Sequence, residues 1–200
     1  MKYQDKEYII SKYEKRLNIY GVSADSVCWE NRELQKLRFS ILYEIGITDN
    51  MSILDVGCGF GDFFSFIREK GDKIIYTGID ISKQILAQAK LLHPHLSFNE
   101  IDILHEDIDK QFDYVVCSGA LNHIAPNNIH LVKRFVDRTL LYARYGVAFN
   151  LSSIYNGHYY YDDVYYYNPA DVFTECIKLC KNVIIRHDYN IADFTVYCYK

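Results

Sequence analysis

Ser52-Ile53-Leu54-Asp55-Val56-Gly57-Cys58-Gly59-Phe60-Gly61-Asp62 is the stretch whose reading decides the fold of this chain. Its first five residues are a short apolar run suited to a buried strand. Three glycines at alternating positions follow, and they permit a sharp turn with backbone amides open to close approach. Asp62 to Glu69 then has the spacing of a helix, with Phe63, Phe66 and Ile67 inward. Strand, glycine turn and helix in that order open an α/β unit whose ligand site lies beyond the strand's carboxyl end.

Reading toward the C-terminus, the same alternation continues. Lys73 to Ile79 predicts a second strand ending at Asp80, and Ser82 can cap a helix carrying Ile85, Leu86, Ala89 and Leu92. Leu96 to Ile101 is a weaker third strand. Phe112 to Cys117 is a fourth, apolar enough to be covered on both faces. Pro126 suits the first turn of a long helix, and Gly146 to Leu151 is a fifth strand. After a tyrosine-rich segment, Pro169 to Cys180 is helical. Val183 to Tyr189 and Phe194 to Tyr199 are two strands too close for a helical crossover, so they must run antiparallel. The expectation is an α/β, doubly wound, Rossmann-like seven-stranded sheet, mostly parallel, with a C-terminal antiparallel hairpin.

Toward the N-terminus, Tyr3 to Tyr20 and Glu30 to Ile45 have helical spacing, with Gly21 as a stop between them. In the second segment Leu34, Leu37, Arg38, Ile41 and Ile45 share one face. Residues 1–200 read as one domain, with 1–50 a helical lid and 51–200 the core.

Composition narrows the class. The 200 residues are 50% hydrophobic, as a globular chain requires, and no apolar run approaches the roughly 18 residues that span a bilayer. MKYQDKEYII is charged and lacks the apolar core of a secretion signal, so a cytoplasmic location is expected. The net charge of −4, without a basic stripe, argues against nucleic acid. Six cysteines form no C-x-x-C pair. Cys176 and Cys180 lack a second ligand pair nearby, so buried thiols rather than a metal site are expected.

Several strand ends carry chemistry that one nucleoside cofactor needs. Asp80 can accept from both ribose hydroxyls. Asp102 can meet the exocyclic amine of adenine, and Ile81 and Ile103 can sandwich the ring. A dinucleotide enzyme would instead want G-x-G-x-x-G/A. Here the third glycine comes one residue early, and Asp62 would face a pyrophosphate.

ILDVGCGFG, YTGIDIS, the Asp102-Ile103 pair and FDYVVCSGALNH together resemble the successive motifs of class I S-adenosylmethionine-dependent methyltransferases. The resemblance covers residues 51–150 by motif and the rest by element order. It implies that Asp55, Gly57, Cys58, Gly59 and Gly61 surround the methionine portion of the cofactor. Asp80 and Ile81 would hold ribose and adenine, Asp102 and Ile103 the adenine edge, and Ser118 the floor beneath the sulfonium. CWENRELQKLRF (Cys28 to Phe39) is similar to a Trp…Gln-x-x-Arg-Phe segment of some bacterial members, in which Arg38 would reach the cofactor carboxylate. The alternative for Arg38 is an exposed helix residue.

A sulfonium methyl needs an aligned nucleophile, excluded water and, for an oxygen or nitrogen acceptor, a base. His123 is the candidate base, with an ordinary imidazole pKa of about 6.5, and Asn122 can orient the substrate. The competing role for His123 is to cap the helix after Pro126. The loop lacks the Asn/Asp-Pro-Pro-Tyr pattern that holds a flipped nucleobase. Tyr159, Tyr160, Tyr161 and Tyr165 lie on the same rim and can wall an acceptor pocket or form a homodimer contact. The expected activity is methyl transfer to an O or N atom of a small molecule, a sugar-like or other metabolite intermediate. A non-catalytic cofactor-binding protein and a protein-modifying enzyme are the alternatives.

Overall fold

In a computed structural model that describes residues 4–28, 31–157 and 160–200, a seven-stranded sheet runs in the order β3-β2-β1-β4-β5-β7-β6. The strands are β1 (Ser52–Val56), β2 (Ile75–Asp80), β3 (Ser97–Glu100), β4 (Phe112–Ser118), β5 (Ala143–Ser152), β6 (Asn182–Arg186) and β7 (Asp193–Tyr199). The first five are parallel, and β7 runs antiparallel to both β5 and β6, as the short final connection requires. Strand order reverses between β1 and β4, so the glycine turn after β1 sits at the switch point, where α/β sheets bind ligands.

Among the described residues six α-helices accompany the sheet: α1 (Lys6–Tyr20), α2 (Arg32–Tyr43), α3 (Asp62–Lys70), α4 (Lys83–Leu92), α5 (Asn128–Tyr142) and α6 (Pro169–Cys176). One face of the sheet is covered by α5 and α6 over Leu54, Val115, Val147, Phe149 and Val196. The other is covered by α2, α3 and α4 over Ile53, Tyr76, Val116, Ala148 and Tyr197. Among the described residues no helix is long and apolar enough to cross a membrane.

The sheet matches its sequence reading, and the details differ in informative ways. The buried face of α2 is Gln35, Phe39, Ile41 and Leu42, whereas Leu34 is 41% exposed. Gln35 misleads because a buried amide looks like a surface residue in sequence; it donates to Asp62 Oδ2 at 3.2 Å. Pro126 lies before the helix rather than in its first turn, since Asn127 is the N-cap of α5 and accepts from the His130 amide. β3 stops at Glu100, and Asp102 begins the turn beyond it. β6 stops at Arg186, which leaves His187 to Tyr189 in the connection to β7.

Helix α1 contrasts with all of these. None of its residues is buried, yet Asp5 caps it and Gly21, at φ +63°, ends it. It lies across the carboxyl ends of the strands, held there mainly by polar side chains.

Candidate active site

The turn between β1 and α3 is built from backbone. Ile79 O accepts from the amides of both Gly57 and Cys58, at 2.8 and 3.0 Å, and ties the turn to the end of β2. Gly57 adopts φ +70°, and a Cβ there would come within 2.6 Å of Ala120 Cβ, so no larger residue fits. The amide of Gly59 donates to Asp80 Oδ2 at 3.1 Å, while Asp80 Oδ1 accepts from the Ser82 amide at 3.0 Å. Loop and second carboxylate therefore form one unit, with lone pairs of Asp80 left for a ligand. Burial raises the Asp80 pKa, opposed by the amides of Ser82 and Gly59.

Below this unit Asp55 is buried and accepts from the Tyr76 hydroxyl at 2.6 Å. Burial pushes its carboxyl up to about 7; the Tyr76 hydrogen bond opposes the rise and the nearby Asp80 adds to it. Cys58 is buried and its thiol titrates well above the ordinary range, first through burial and then through Asp80. Gly61, at φ +85°, is the N-cap of α3.

Asp102 is the third carboxylate. Its Oδ1 accepts from the Leu104 amide at 3.1 Å, and its Oδ2 meets His105 Nδ1 at 3.0 Å and Lys6 Nζ at 3.3 Å. These partners hold its pKa low against burial, which is the largest influence and acts upward. Ile81 is half-buried, and Ile103 is 4% exposed in the core beside Ile79 and Leu121.

At the end of β4, Ser118 donates to Asn150 Oδ1 on β5 at 3.2 Å. Asn122 stitches the following loop to its surroundings: its Oδ1 accepts from the Ser152 amide at 3.0 Å, and its carbonyl accepts from the Tyr165 amide at 2.8 Å. His123, 9% exposed, is enclosed by residues of the N-terminal segment. Its Nδ1 lies 3.2 Å from Gln4 Oε1, and its Nε2 lies 3.4 Å from the Tyr13 hydroxyl, whose ring packs edge-on at 5.6 Å. The imidazole donates from Nδ1 and accepts at Nε2 in the tautomer that suits both partners. Burial lowers its pKa to about 4, aided by Lys12 and opposed by Asp163, so the ring is neutral at pH 7. The capping role considered for His123 falls to Asn127, while Asn128 ties the preceding loop to the helix, donating to the His123 carbonyl at 2.7 Å and accepting from the Ala125 amide.

The tyrosine segment divides. Tyr159 lies outside the described residues. Tyr160 and Tyr161 are half-exposed; Tyr160 donates to Ile154 O at 3.0 Å, and the Tyr161 amide donates to the Tyr166 hydroxyl at 2.8 Å. Tyr165 packs edge-on against Tyr167, which is fully buried and donates to Leu121 O at 2.6 Å. Tyr167 thus braces the loop that carries Asn122 and His123.

Arg38 Nη2 bonds Asp193 Oδ1 at the start of β7, and Asp193 Oδ2 accepts from Asn190 Nδ2. Its partner here is thus a carboxylate of the chain itself, on the β5–β7 side of the site. The N-terminal contributions of Gln4, Lys12 and Tyr13 carried no signal in the sequence. Lys12 Nζ meets Asp163 Oδ2 at 2.6 Å, Glu14 accepts from Ser82 Oγ at 3.1 Å, and Asp80 and Asp163 both act on the Tyr13 phenol, whose pKa is raised chiefly by burial. Helix α1 therefore touches the ends of β2, β3 and β4 and the tyrosine segment.

Residues 54–140 match a family described as a methyltransferase domain. A Mycobacterium tuberculosis protein named as a methyltransferase is 31% identical over 158 residues, covering 76% of this chain and 95% of that protein. The fold is shared with the DhpI–S-adenosylhomocysteine complex at a TM-score of 0.71 and 15% identity, over 96% of this chain and 95% of that one. It is also shared with magnesium protoporphyrin IX methyltransferase of Synechocystis PCC 6803 with bound S-adenosylmethionine, at 0.68 and 14%, over 98% and 94%.

Proposed function

Because the chain belongs to the class I S-adenosylmethionine-dependent methyltransferases, we propose that it methylates an oxygen or nitrogen atom of a small molecule beneath α1. Residues 51–200 act as the catalytic core and 1–50 as its cover, in a single domain. The cofactor, when bound, supplies an electrophilic methyl group. The observation that carries the reading is the joined Gly59–Asp80 unit, where an open glycine turn and a carboxylate with spare lone pairs meet at the switch point.

These residues fit a nucleoside cofactor. Asp80 would take the ribose hydroxyls, with Ile81 beside it, and Asp102 and Ile103 the adenine edge. Asp55, Gly57, Cys58, Gly59 and Gly61 would enclose the methionine portion above Ser118. Arg38 would serve the cofactor carboxylate only by exchanging Asp193 for it.

His123 is neutral at physiological pH and so holds a free lone pair on Nε2 once Tyr13 yields it. In this role it accepts the proton that an acceptor O–H or N–H loses as its lone pair takes the methyl. Asn122 holds the loop that carries His123, and Tyr160, Tyr161 and Tyr165 wall the acceptor side. A small acceptor is favoured because α1 and residues 160–167 approach His123 from two directions, through Tyr13, Gln4 and the Asp163 carbonyl that Gln4 bonds.

Calorimetric titration with S-adenosylmethionine tests the cofactor half. Wild type should bind, and Asp80→Ala should lose at least a hundredfold in affinity while staying folded. Undiminished affinity in that variant would overturn the site.

A further inference from the structure

Asn150, near the carboxyl end of β5, is 1% exposed, and its Nδ2 has no hydrogen-bond partner among the described residues. The same amide accepts through Oδ1 from Ser118 Oγ at 3.2 Å. Turning the amide over exchanges which atom meets Ser118 and leaves the other orphaned all the same. A buried polar atom without a partner is destabilising, and native proteins retain one where something else completes it.

Its place in the sheet says what that is. Asn150 is registered between Ser118 of β4 and Thr195 of β7. Alternation from Ala148, which packs in the core on the α2 face, puts Asn150 on that same face. By the same count Asp55, Ser118, Thr195 and Asp193 also lie on it, at the carboxyl ends of β1 and β4 and the amino end of β7. The neighbouring hydroxyls offer Asn150 nothing more. Ser118 is already its partner, and Thr195 Oγ1 is bonded to the Tyr189 hydroxyl at 2.9 Å.

We propose that Asn150 is an acceptor-binding residue, and that the group it holds is a hydroxyl of the methyl acceptor. A hydroxyl both donates and accepts, so it satisfies the orphaned amide atom in either orientation. An ammonium could satisfy only the orientation that leaves Oδ1 open. This deepens the methyltransferase reading and rests on it, since Ser118 links Asn150 to the proposed cofactor floor.

The claim predicts opposite effects on stability and binding, which a merely structural asparagine would not produce. Asn150→Leu keeps the branched shape and removes the orphan, and half-buried Ser118 can turn to water. Its melting temperature without ligands should rise by about 2–4 °C. Asn150→Val, which adds less bulk, controls for overpacking and should shift the same way.

Saturation-transfer NMR on protein loaded with S-adenosylhomocysteine supplies the second arm, with a panel of monosaccharides, alditols and simple phenols beside simple alkylamines. Hydroxylated probes should bind wild type and lose at least tenfold in affinity in both variants. S-adenosylhomocysteine affinity should stay within about threefold. A fall in melting temperature for both variants overturns the inference, as does a panel in which no hydroxylated probe separates wild type from variants or in which amines bind better. Failure of wild type to bind S-adenosylhomocysteine would instead defeat the methyltransferase reading, and the melting shift would still report on the orphaned amide.

Discussion

The ends of β1 and β2 and the ends of β4, β5 and β7 are adjacent on one sheet but are built differently. The first region is mostly backbone: amides of Gly57, Cys58 and Gly59 meet a carbonyl and a carboxylate within one strand–helix–strand unit. The second is side chains brought together from across the chain: Tyr13 and Gln4 on His123, Lys12 on Asp163, Arg38 on Asp193 and Ser118 on Asn150. Backbone sites tolerate almost no change in geometry, which suits a cofactor of fixed shape. Side chains such as Tyr13 and Lys12, on a helix without buried residues, can change partners, which suits the entry of an acceptor and the release of a product in the proposed reaction.

The largest effects should separate the two regions. His123→Gln removes the proposed base and should lower kcat by about 10² to 10⁴-fold, with cofactor affinity within a few-fold of wild type. Asp80→Ala should do the reverse, so that its loss appears first in cofactor affinity. A His123 variant that bound cofactor as poorly as the Asp80 variant would erase the distinction.

The two regions should also respond to pH with opposite slopes. Asp55, ordinarily near 3.8 and pushed up to about 7, holds its proton more tightly folded than unfolded. Its contribution is complete below its unfolded pKa and is lost as pH rises toward 7. His123, lowered from 6.5 to about 4, holds its proton less tightly when folded. Its contribution is complete above 6.5 and is lost as pH falls toward 4. In wild type the two trends oppose each other between about pH 4 and 6.5. Asp55→Asn should leave stability that climbs with pH across that window, and His123→Gln stability that falls. Each change should be of the order of 3 kcal/mol in urea denaturation. Parallel pH profiles for the two variants would break the assignment.

Smaller effects belong to α1. Tyr13→Phe deletes one hydrogen bond to His123 of about 1 kcal/mol, so S-adenosylhomocysteine should dissociate roughly fivefold faster in stopped flow if α1 closes over it. Lys6→Ala removes a half-exposed ion pair with Asp102 and should change stability by no more than about 0.5 kcal/mol, and less in high salt. A larger loss on thermal melting would mean that α1 is a fixed part of the core.

The same contrast governs what could be read from the sequence. Asp55 to Gly61 and Asp80 were legible because a turn's requirements are local, and the strand that follows it ends at a predictable place. The side-chain region at the ends of β4, β5 and β7 was not, because its decisive pairs are 110 residues apart for Tyr13–His123, 119 for Gln4–His123 and 155 for Arg38–Asp193. Helical spacing marks α1 as a helix but does not say what it rests on. The tyrosines illustrate the same gap: Tyr160 and Tyr161 are half-exposed, and Tyr167, the same residue type in the same run, is fully buried. Nothing in the run itself sorts them. Gln35 hid the phase of α2 for a related reason, because its burial depends on Asp62 of another helix.

A crystal structure of the protein with S-adenosylhomocysteine would show where the nucleoside sits. The ribose hydroxyls should lie on the Asp80 carboxylate, the Gly57–Gly61 turn against the amino-acid portion, and the sulfur should be directed toward Ser118 and His123. A nucleoside bound away from the ends of β1 and β2, or a sulfur turned away from His123, would contradict that placement.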